Sequence, residues 1–502
     1  MKRASSVITI VLVTLVSAAC GAGTPASDAA KDQAQLFLLP VSTASEDAKR
    51  EIADGVRELD MGRDPEAYEH FQRAIAADSN AAIARAYAAI AAQAASSAQD
   101  AYKLTAQAVA LAPRASASER LFIDVINRSS RGDFTGARAS AMQLVAAEPT
   151  NPRPLLVLAV VDSFLADHTA SRASLSKAIE IAPNFTPAYV ASSISYAQFE
   201  PRDLPKSEQL ARKAIELEPE ESVMYDVLGD ALRAQGKLEE AGVAYTKMDE
   251  LDPVAGGLQQ RAHVNTFLGR FPEARADYDA AVAKATGNNK PAFAFYHALV
   301  FAYEGAPQSA YDELTTWYAE VDNMKVPAPQ EMKHFIAGQQ MIIAAHTRKL
   351  ADLKAAVARV NETGDKLIDQ VRTDEFTSVM RAQQTLAAGY VALVEGDYAA
   401  ATRFANESMA TDRSAGAVRL AHELLGHSAL AQKRLEDAVR EFELSDPNDP
   451  YVAYHKALAL DGLGRPDEAK KLYNFVATFY FNQTGFALVR ADAIARLKKA
   501  GA

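Results

Sequence analysis

Hydrophobic residues recur every three or four positions over most of this chain, which is the spacing of one face of an α-helix. The pattern is clearest in residues 222–253, where Tyr225, Leu228 and Leu232 form a first apolar stripe and a second stripe follows Gly236. Glycine adopts positive φ at low cost where a helix ends. The pattern therefore predicts two packed helices joined by a short turn at Gly236.

The same two-helix unit recurs with a period near 34 residues. Prolines that follow apolar helix ends are spaced by 36, 34, 36 and 34 residues, at Pro113, Pro149, Pro183, Pro219 and Pro253. Proline cannot continue a helical hydrogen-bond ladder, so it separates one copy from the next. A small residue recurs in step with these prolines, at Ala67, Ala101, Ala137, Ser171, Ser207, Ala241, Ala274 and Ala310. A period of this length indicates a solenoid of stacked helix pairs.

The small residues explain how each pair packs. Gly229 and Ala241 lack bulk, so the axes of the two helices can approach closely while larger residues fill the space on either side. This arrangement closely resembles the tetratricopeptide repeat, most clearly at residues 222–253 and 418–450. The resemblance implies an all-α, right-handed α-solenoid of antiparallel helix pairs. It also implies ten to twelve pairs over residues 46–477, with the first helix of each pair lining a concave groove.

The repeat is weakest at residues 324–372, where Pro327 and Pro329 interrupt the chain and the helices lack the signature small residues. We therefore expect a bend or boundary there. Residues 486–500 are amphipathic and end in cations, as suits a final helix that closes the array. The predicted regions are an N-terminal array at 46–323, a C-terminal array at 324–477 with a degenerate start, and a capping helix within 478–502.

The first nineteen residues have the composition of a secretory signal peptide. Lys2 and Arg3 precede an uncharged run at residues 7–16, whose ten residues cover only about half of a bilayer core. Small residues then lead into Cys20, which resembles the lipobox of bacterial lipoproteins. That resemblance implies cleavage before Cys20 and attachment of acyl chains such as palmitate to this residue. An ordinary signal peptide cut near Ala19 is the alternative.

Residues 20–45 follow as a flexible tether of mostly small and polar residues. Gly21 stands where an aspartate retains such lipoproteins at the inner membrane, so the resemblance implies the periplasmic side of the outer membrane. A soluble periplasmic or inner-membrane location is the alternative. The apolar cluster at residues 36–40 is expected to dock on the first helices, because exposed large apolar residues favour aggregation.

Composition excludes several classes of function. With 53 Lys and Arg against 64 Asp and Glu, the formal net charge is −11 and no basic block stands out, which argues against a nucleic-acid partner. Cys20 is the single cysteine, so an internal disulfide, a cysteine-cluster zinc site and a CxxC redox centre are excluded. The nine histidines are scattered along the sequence.

The candidate catalytic motifs in the sequence lack the spacing or the partner residues that their chemistry needs. His422 and His427 are five positions apart, whereas a HExxH zinc motif needs four to place both rings on one helical face. Ser174 and Lys177 have SxxK spacing but lie in a regular second helix without a KTG partner. No P-loop fits the glycines at 229 and 236. We therefore predict no catalytic residue, no metal, no cofactor and no enzymatic activity.

Residues that project inward from first helices are the candidates for a partner-binding groove. Residues 293–317 are the most aromatic part of the array; most of these rings are expected in the core, and the remainder could anchor a partner. The candidate groove residues are Asp226, Asp230, Arg233, Phe295, Tyr390, His427 and Tyr454.

The sequence thus favours a non-catalytic, protein-binding scaffold or adaptor of the bacterial cell envelope, anchored to a membrane by lipid, that binds a peptide or partner protein in its groove. Two alternatives remain open. One is an enzyme or small-ligand receptor with a site inside the superhelix, and the other is a structural component that self-assembles through its terminal repeats. A monomer is compatible with the first interpretation, and the partner itself is not encoded in any motif.

Overall fold

The computed structural model describes residues 37–253 and 256–500, and over this part of the chain it contains twenty-five α-helices and no strand. Twenty-four of these helices form twelve consecutive pairs between Glu46 and Ala477, and one further helix follows. In ten of the twelve pairs, the two helices pack extensively against each other. The predicted all-α solenoid of stacked antiparallel helix pairs is confirmed, and so is the predicted number of pairs.

The first six pairs are short and regular. Their helices are α1 (Glu46–Asp60), α2 (Asp64–Ala77), α3 (Ala82–Ala95), α4 (Ala98–Leu111), α5 (Ala117–Ser130), α6 (Phe134–Ala147), α7 (Arg153–Phe164), α8 (His168–Ile181), α9 (Thr186–Gln198), α10 (Leu204–Leu217), α11 (Ser222–Ala234) and α12 (Leu238–Leu251). A 3₁₀ turn, Ala112–Arg114, follows α4.

The remaining pairs are less uniform. Their helices are α13 (Gly256–Phe267), α14 (Phe271–Lys284), α15 (Asn289–Tyr303), α16 (Pro307–Glu320), α17 (Pro329–His346), α18 (Leu350–Val371), α19 (Asp374–Glu395), α20 (Tyr398–Thr411), α21 (Ala415–Ala431), α22 (Leu435–Leu444), α23 (Pro450–Gly462) and α24 (Pro466–Ala477), and the final helix is α25 (Thr484–Ala500). Helices α17, α18 and α19 have 18, 22 and 22 residues, which is why the repeat signature is weak there.

In ten of the twelve pairs, the turn places one residue in the left-handed region. Gly236 has φ of 74° between α11 and α12, as predicted, and Gly62 has φ of 70° in the first pair. Ala166 and Arg348 adopt the same sign of φ at the equivalent turns. The turn geometry is therefore set by the pairing of the helices, and glycine is its low-cost solution.

A glycine on the first helix also makes room for a ring on the second. In three pairs the ring lies sixteen positions after the glycine, at 55 and 71, 229 and 245, and 426 and 442. A Cβ atom at Gly426 would lie 2.6 Å from the ring of Phe442, and a Cβ atom at Gly229 would overlap the ring of Tyr245. The close approach predicted for Gly229 is thus present, and the aromatic ring is what occupies the space.

The chain divides into two compact units. Among the described residues, the N-terminal unit contains 37–253, 256–264 and 280–289, and the C-terminal unit contains 265–279 and 290–500. The boundary expected at 323/324 is only a 3₁₀ turn, Val321–Asn323, inside the C-terminal unit. Prolines there begin helix α17 rather than separate two bodies, since Pro329 occupies its first turn.

Residues 37–45 are not a free tether. They are non-helical, but Leu39 is 1% exposed and packs with Ile52 of α1, Tyr87 of α3 and Phe122 of α5. The docking of this apolar cluster on first helices agrees with the sequence prediction. A flexible tether can therefore extend no further than residue 36, which lies with residues 1–35 outside the described part.

Helix α25 does more than cap the last pair. It packs on α24 as expected and also contacts α17 and α23, and the Thr484 hydroxyl donates to Gln339 Oε1 at 2.6 Å. The ring of Phe486 packs within the same unit against Phe267 and Tyr303, with centroids 6.2 and 5.7 Å away. The C-terminal helix therefore closes part of the face formed by first helices.

Candidate functional site

The site is a pocket on the inner face of the C-terminal unit, meaning the face formed by the first helices of its pairs. Four successive first helices contribute to it: α17, α19, α21 and α23. Its volume is about 90 Å³. Most of its lining is apolar and includes Met341, Ile342, Ala345, Val360, Leu386 and Leu420.

Polar groups stand at one side of this apolar lining. The Tyr390 hydroxyl donates to Glu423 Oε1 at 3.3 Å, and the same carboxylate lies 3.4 Å from Nε2 of His427. Glu423 is only 3% exposed, so its carboxyl group lies within the protein beside these neighbours. Tyr390 and His427, two of the predicted groove residues, thus meet at one buried carboxylate.

His334 also lines the pocket. Its Nδ1 is 2.8 Å from the Thr363 hydroxyl, and its Nε2 is 3.2 Å from Gln383 Oε1. Burial lowers the pKa of His334, which favours its neutral form. A neutral, doubly hydrogen-bonded imidazole fixes the pocket wall without adding charge.

A group of histidines surrounds Tyr451, which sequence spacing did not reveal. His346 Nδ1 lies 3.1 Å from the Tyr451 hydroxyl, and the rings of His427 and His455 lie 5.5 and 4.3 Å from the Tyr451 ring. These histidines are on three different first helices, so only the stacking of pairs brings them together. In the described part of the chain, no group of three or more His, Cys, Asp or Glu residues is arranged to hold a metal ion.

Tyr454 is near this site but covered. It is 7% exposed, and its hydroxyl donates to Asp492 Oδ2 of α25 at 2.6 Å. Burial and the adjacent carboxylate raise the pKa of Tyr454 to about 12. Tyr454 does project from a first helix as predicted, but it binds the chain's own final helix.

The three charged residues predicted on α11 form an internal network in the N-terminal unit. Gln260 Nε2 donates to Asp226 Oδ1 at 2.6 Å, and Arg233 donates to both Gln260 Oε1 at 3.0 Å and Asp230 Oδ1 at 2.6 Å. Tyr245 also donates to Asp230 Oδ1 at 2.6 Å. Burial, reinforced by Asp230, raises the pKa of Asp226 to about 7. These side chains join α11 to the next first helix, α13.

The assignment of Phe295 to the groove is corrected. This ring is 4% exposed and lies 4.9 Å from both Tyr296 and Phe335 in an aromatic cluster of the core. Phe295 is therefore one of the rings of residues 293–317 that belong to the core, as the sequence predicts for most of them. His422 contacts Glu441 Oε2 at 2.8 Å, so it binds a different carboxylate from the one near His427.

No protein-family model matches this chain. No curated protein matches it either. Among solved structures, a thermophilic TPR protein of Thermus thermophilus is 18% identical, with 34% of this chain and 92% of that chain covered and a TM-score of 0.30. A tetratricopeptide repeat protein from Parabacteroides merdae is 12% identical, with 58% and 99% covered and a TM-score of 0.34. The Cut9–Hcn1 hetero-tetramer structure of the APC/C contains a chain 15% identical, with 90% and 76% covered and a TM-score of 0.40.

These TM-scores are too low to support an argument from overall superposition, so the fold assignment depends on this chain's own paired helices. Within residues 37–253 and 256–500, no helix combines the length and apolarity needed to cross a bilayer.

A second, more polar cleft of about 350 Å³ lies in the N-terminal unit between α8, α9 and α10. Its cations already have partners within the protein. The Arg172 guanidinium donates to the carbonyl oxygens of Ser195 and Phe199 at 2.7 and 2.8 Å, and Lys213 pairs with Glu216 at 2.8 Å. Much of the hydrogen-bonding capacity of these two cations is thus used within the protein.

Proposed function

We propose that this protein is a non-catalytic interaction scaffold of the bacterial cell envelope, and that it binds a segment of a partner protein on the inner face of its C-terminal unit. The observation that carries the proposal is the apolar pocket shared by four successive first helices, with Tyr390 and the buried Glu423 at its edge. Helical repeat arrays present such extended surfaces to protein partners.

The size of the pocket favours a protein side chain over a small molecule. Small-molecule and cofactor sites usually have volumes of roughly 300–1,000 Å³. This pocket, at about 90 Å³, is well below that range. That space suits the end of one branched or aromatic side chain. Such an anchor, inserted into an apolar pocket with an aromatic wall, is the usual centre of a protein–protein interface.

The envelope location is supported by the N-terminal residues. The charged start, the apolar run at residues 7–16 and the small residues before Cys20 suit export followed by acylation of Cys20. Gly21 favours the periplasmic side of the outer membrane within that proposal. Lipid attachment would hold the scaffold at a surface while residues 20–36 set its reach.

Site-specific photocrosslinking in intact cells tests the binding site. A photoreactive amino acid replaces Tyr390, which lines the pocket, and in a matched chain it replaces Leu444, a 52% exposed residue at the end of the second helix α22. We expect one defined protein to be captured at position 390 and not at 444. Capture should fall at least about tenfold when Leu420→Asp places a charge in the apolar lining.

Two results would contradict the proposal. Capture at 444 but not at 390 would place the partner on the second helices, and capture at 390 that survives Leu420→Asp would show that the pocket is not the anchor. A purified small molecule that protects position 390 from crosslinking would favour a receptor for small ligands instead.

A further inference from the structure

The strap, residues 37–43, lies along four helix pairs of the N-terminal unit. Near one end, the Phe37 carbonyl accepts a hydrogen bond from Arg153 Nε at 2.8 Å, and the Leu38 carbonyl accepts one from Asn151 Nδ2 at 2.8 Å. Toward the other end, the Ser42 backbone N–H donates to Glu119 Oε1 at 3.1 Å and the Thr43 hydroxyl donates to Asp78. These partners come from successive repeats, so the strap runs across the array as a bound peptide would.

The exposure of the strap alternates as in an extended strand. Leu39 and Thr43 are buried and Val41 is half-buried, whereas Pro40 and Ser42 are exposed. One row of side chains therefore faces the array and the other faces solvent.

Two apolar contacts fix the register of the strap. The Phe37 ring meets the Phe185 ring edge-on, with centroids 5.3 Å apart, and Leu39 is enclosed by side chains of the first helices. One residue separates the two in the strap, so the surface recognises an aromatic ring and a leucine two positions later. The side chains of Leu38 and Val41 pack partly buried beside these contacts, and hydroxyl groups near the C-terminal end of the strap add hydrogen bonds.

The groups that hold the strap are themselves held by the array. Arg153 makes two bonds to the Asp60 carboxylate, at 2.9 and 2.7 Å, and Asn151 Oδ1 accepts from the Arg153 backbone N–H at 3.0 Å. Glu119 accepts from the Ser116 backbone N–H at 2.7 Å in the capping box of α5, and Asp78 accepts from the Asn80 backbone N–H at 2.8 Å. None of these restraints involves the strap, which favours a site that keeps its geometry when the strap leaves and that binds another extended segment.

We propose that this surface is a second partner-binding site, which takes an extended protein segment with an aromatic residue, a leucine two positions later and hydroxyl residues beyond it, and that the strap occupies it until such a segment displaces it. The polar groups of the surface bind mainly main-chain atoms, so a partner needs little more than this apolar pattern and an extended backbone. The site is on a different unit from the Tyr390 pocket, and the proposal does not depend on that pocket.

The strap competes with a free peptide by being covalently attached to the array. A short linker gives an attached segment a local concentration in the millimolar range, which raises its apparent affinity by roughly 10²–10⁴ over the free segment. Wild-type protein should therefore bind a free copy of the strap weakly, and release of the strap should expose the site.

The test uses the purified full chain and a fluorescein-labelled peptide with the sequence of residues 37–44, followed by fluorescence anisotropy. Leu39→Asp places a carboxylate at the buried position and releases the strap, while Pro40→Asp adds the same charge at the neighbouring exposed position and serves as the matched control. We expect Leu39→Asp to bind the peptide at least about 10²-fold more tightly than wild type or Pro40→Asp. A peptide with aspartate at the leucine position should not bind.

A folded Leu39→Asp chain that does not bind the peptide would overturn the proposal, because the surface would then be fixed internal packing. Hydrogen exchange on wild-type protein provides a second measurement should this variant not fold. Strap amides that exchange by local opening, faster than those of α3 and α5, support displacement, and strap amides that exchange only with α3 and α5 contradict it. A wild-type dimer that the peptide dissociates would identify a second copy of this chain as the occupant and overturn the assignment to a different partner.

Discussion

Single glycines decide how closely the two helices of a pair approach. Helix α21 contains two glycines in opposite situations: a Cβ atom at Gly426 would lie 2.6 Å from the Phe442 ring, and a Cβ atom at Gly416 would have no neighbour within 4 Å. A substitution at Gly426 therefore tests packing, whereas a substitution at Gly416 tests only backbone entropy. The two glycines allow a matched comparison within one helix.

We expect Gly426→Ala to lower the free energy of unfolding of the C-terminal unit by about 1–3 kcal/mol, because the added methyl group forces the Phe442 ring or the helix axes apart. Gly416→Ala should leave this free energy unchanged or raise it by up to about 1 kcal/mol, since alanine restricts the unfolded chain. Urea unfolding followed by fluorescence of Trp317, the sole tryptophan and a residue of this unit, measures both. Equal effects of the two substitutions would show that the ring does not need the space.

Charged residues on first helices could not be assigned correctly from the sequence. Asp226 lies on the face that the repeat register predicts to be inward, but Gln260, 34 residues later, takes the same place on the next first helix and pairs with it. Because Gln260, one repeat later, bonds Asp226, this expected groove residue makes an internal contact instead. Tyr390 also bonds a polar residue one repeat later, Glu423, but both side chains line the pocket.

At the scale of helices, the sequence predicted the packing, turns and boundaries that depend on residues within one or two repeats. The small residues at close approaches, the glycines at many turns and the prolines between several pairs act over fewer than about 40 residues, so a periodic pattern reveals them. Contacts between distant repeats leave no periodic pattern in the sequence. Arg57 pairs with Glu218 across 161 residues, and Thr484 bonds Gln339 across 145, so neither the strap nor the return of α25 could be fully located from sequence.

The contact at Arg57 joins the first pair to the loop between the fifth and sixth pairs. Arg57 and Arg63 are each 4% exposed, and both bond Glu221, at 2.9 and 3.0 Å. Glu218 is a further partner of Arg57. Repeat arrays usually depend on neighbouring contacts alone. In this unit, a buried network of ion pairs also joins the first pair to residues four repeats later in the chain.

We expect Glu221→Gln to destabilise the first pair by about 1–3 kcal/mol, because it removes the carboxylate that both buried guanidinium groups share. Arg57 then keeps Glu218 and Arg63 keeps Glu58 as counter-charges. The adjacent, exposed Glu220→Gln is the matched control and should have little effect. Hydrogen exchange at the amides of α1 and α2 measures the difference, with faster exchange expected in the Glu221 variant only. Unchanged exchange in that variant would show that the network contributes no net stability to the pair.

For the molecule as a whole, the proposed membrane attachment has to depend on something other than the described helices. No helix in residues 37–253 and 256–500 could cross a bilayer, and the net charge of −11 opposes adsorption to anionic lipid. The apolar run at residues 7–16 would reach only about half of the ~30 Å hydrocarbon core as a helix. Acyl chains on Cys20 would supply roughly 0.8 kcal/mol for each buried CH₂ group, which suffices for stable anchoring when several chains are present.

We therefore expect the mature N-terminal peptide, isolated from native membranes and analysed by mass spectrometry, to begin at Cys20 and to carry the mass of the acyl chains. Cys20→Ser removes the sulfur that the first two chains need, so neither cleavage at this point nor acylation should occur. Ser17→Leu supplies the residue more common at its place in the lipobox and should leave the acylated peptide unchanged. Because an uncut precursor could also stay at a membrane through its apolar run, the mass of the peptide decides the question where fractionation alone could not. A wild-type peptide with an unmodified Cys20 would remove the lipid anchor and leave an exported, unattached scaffold.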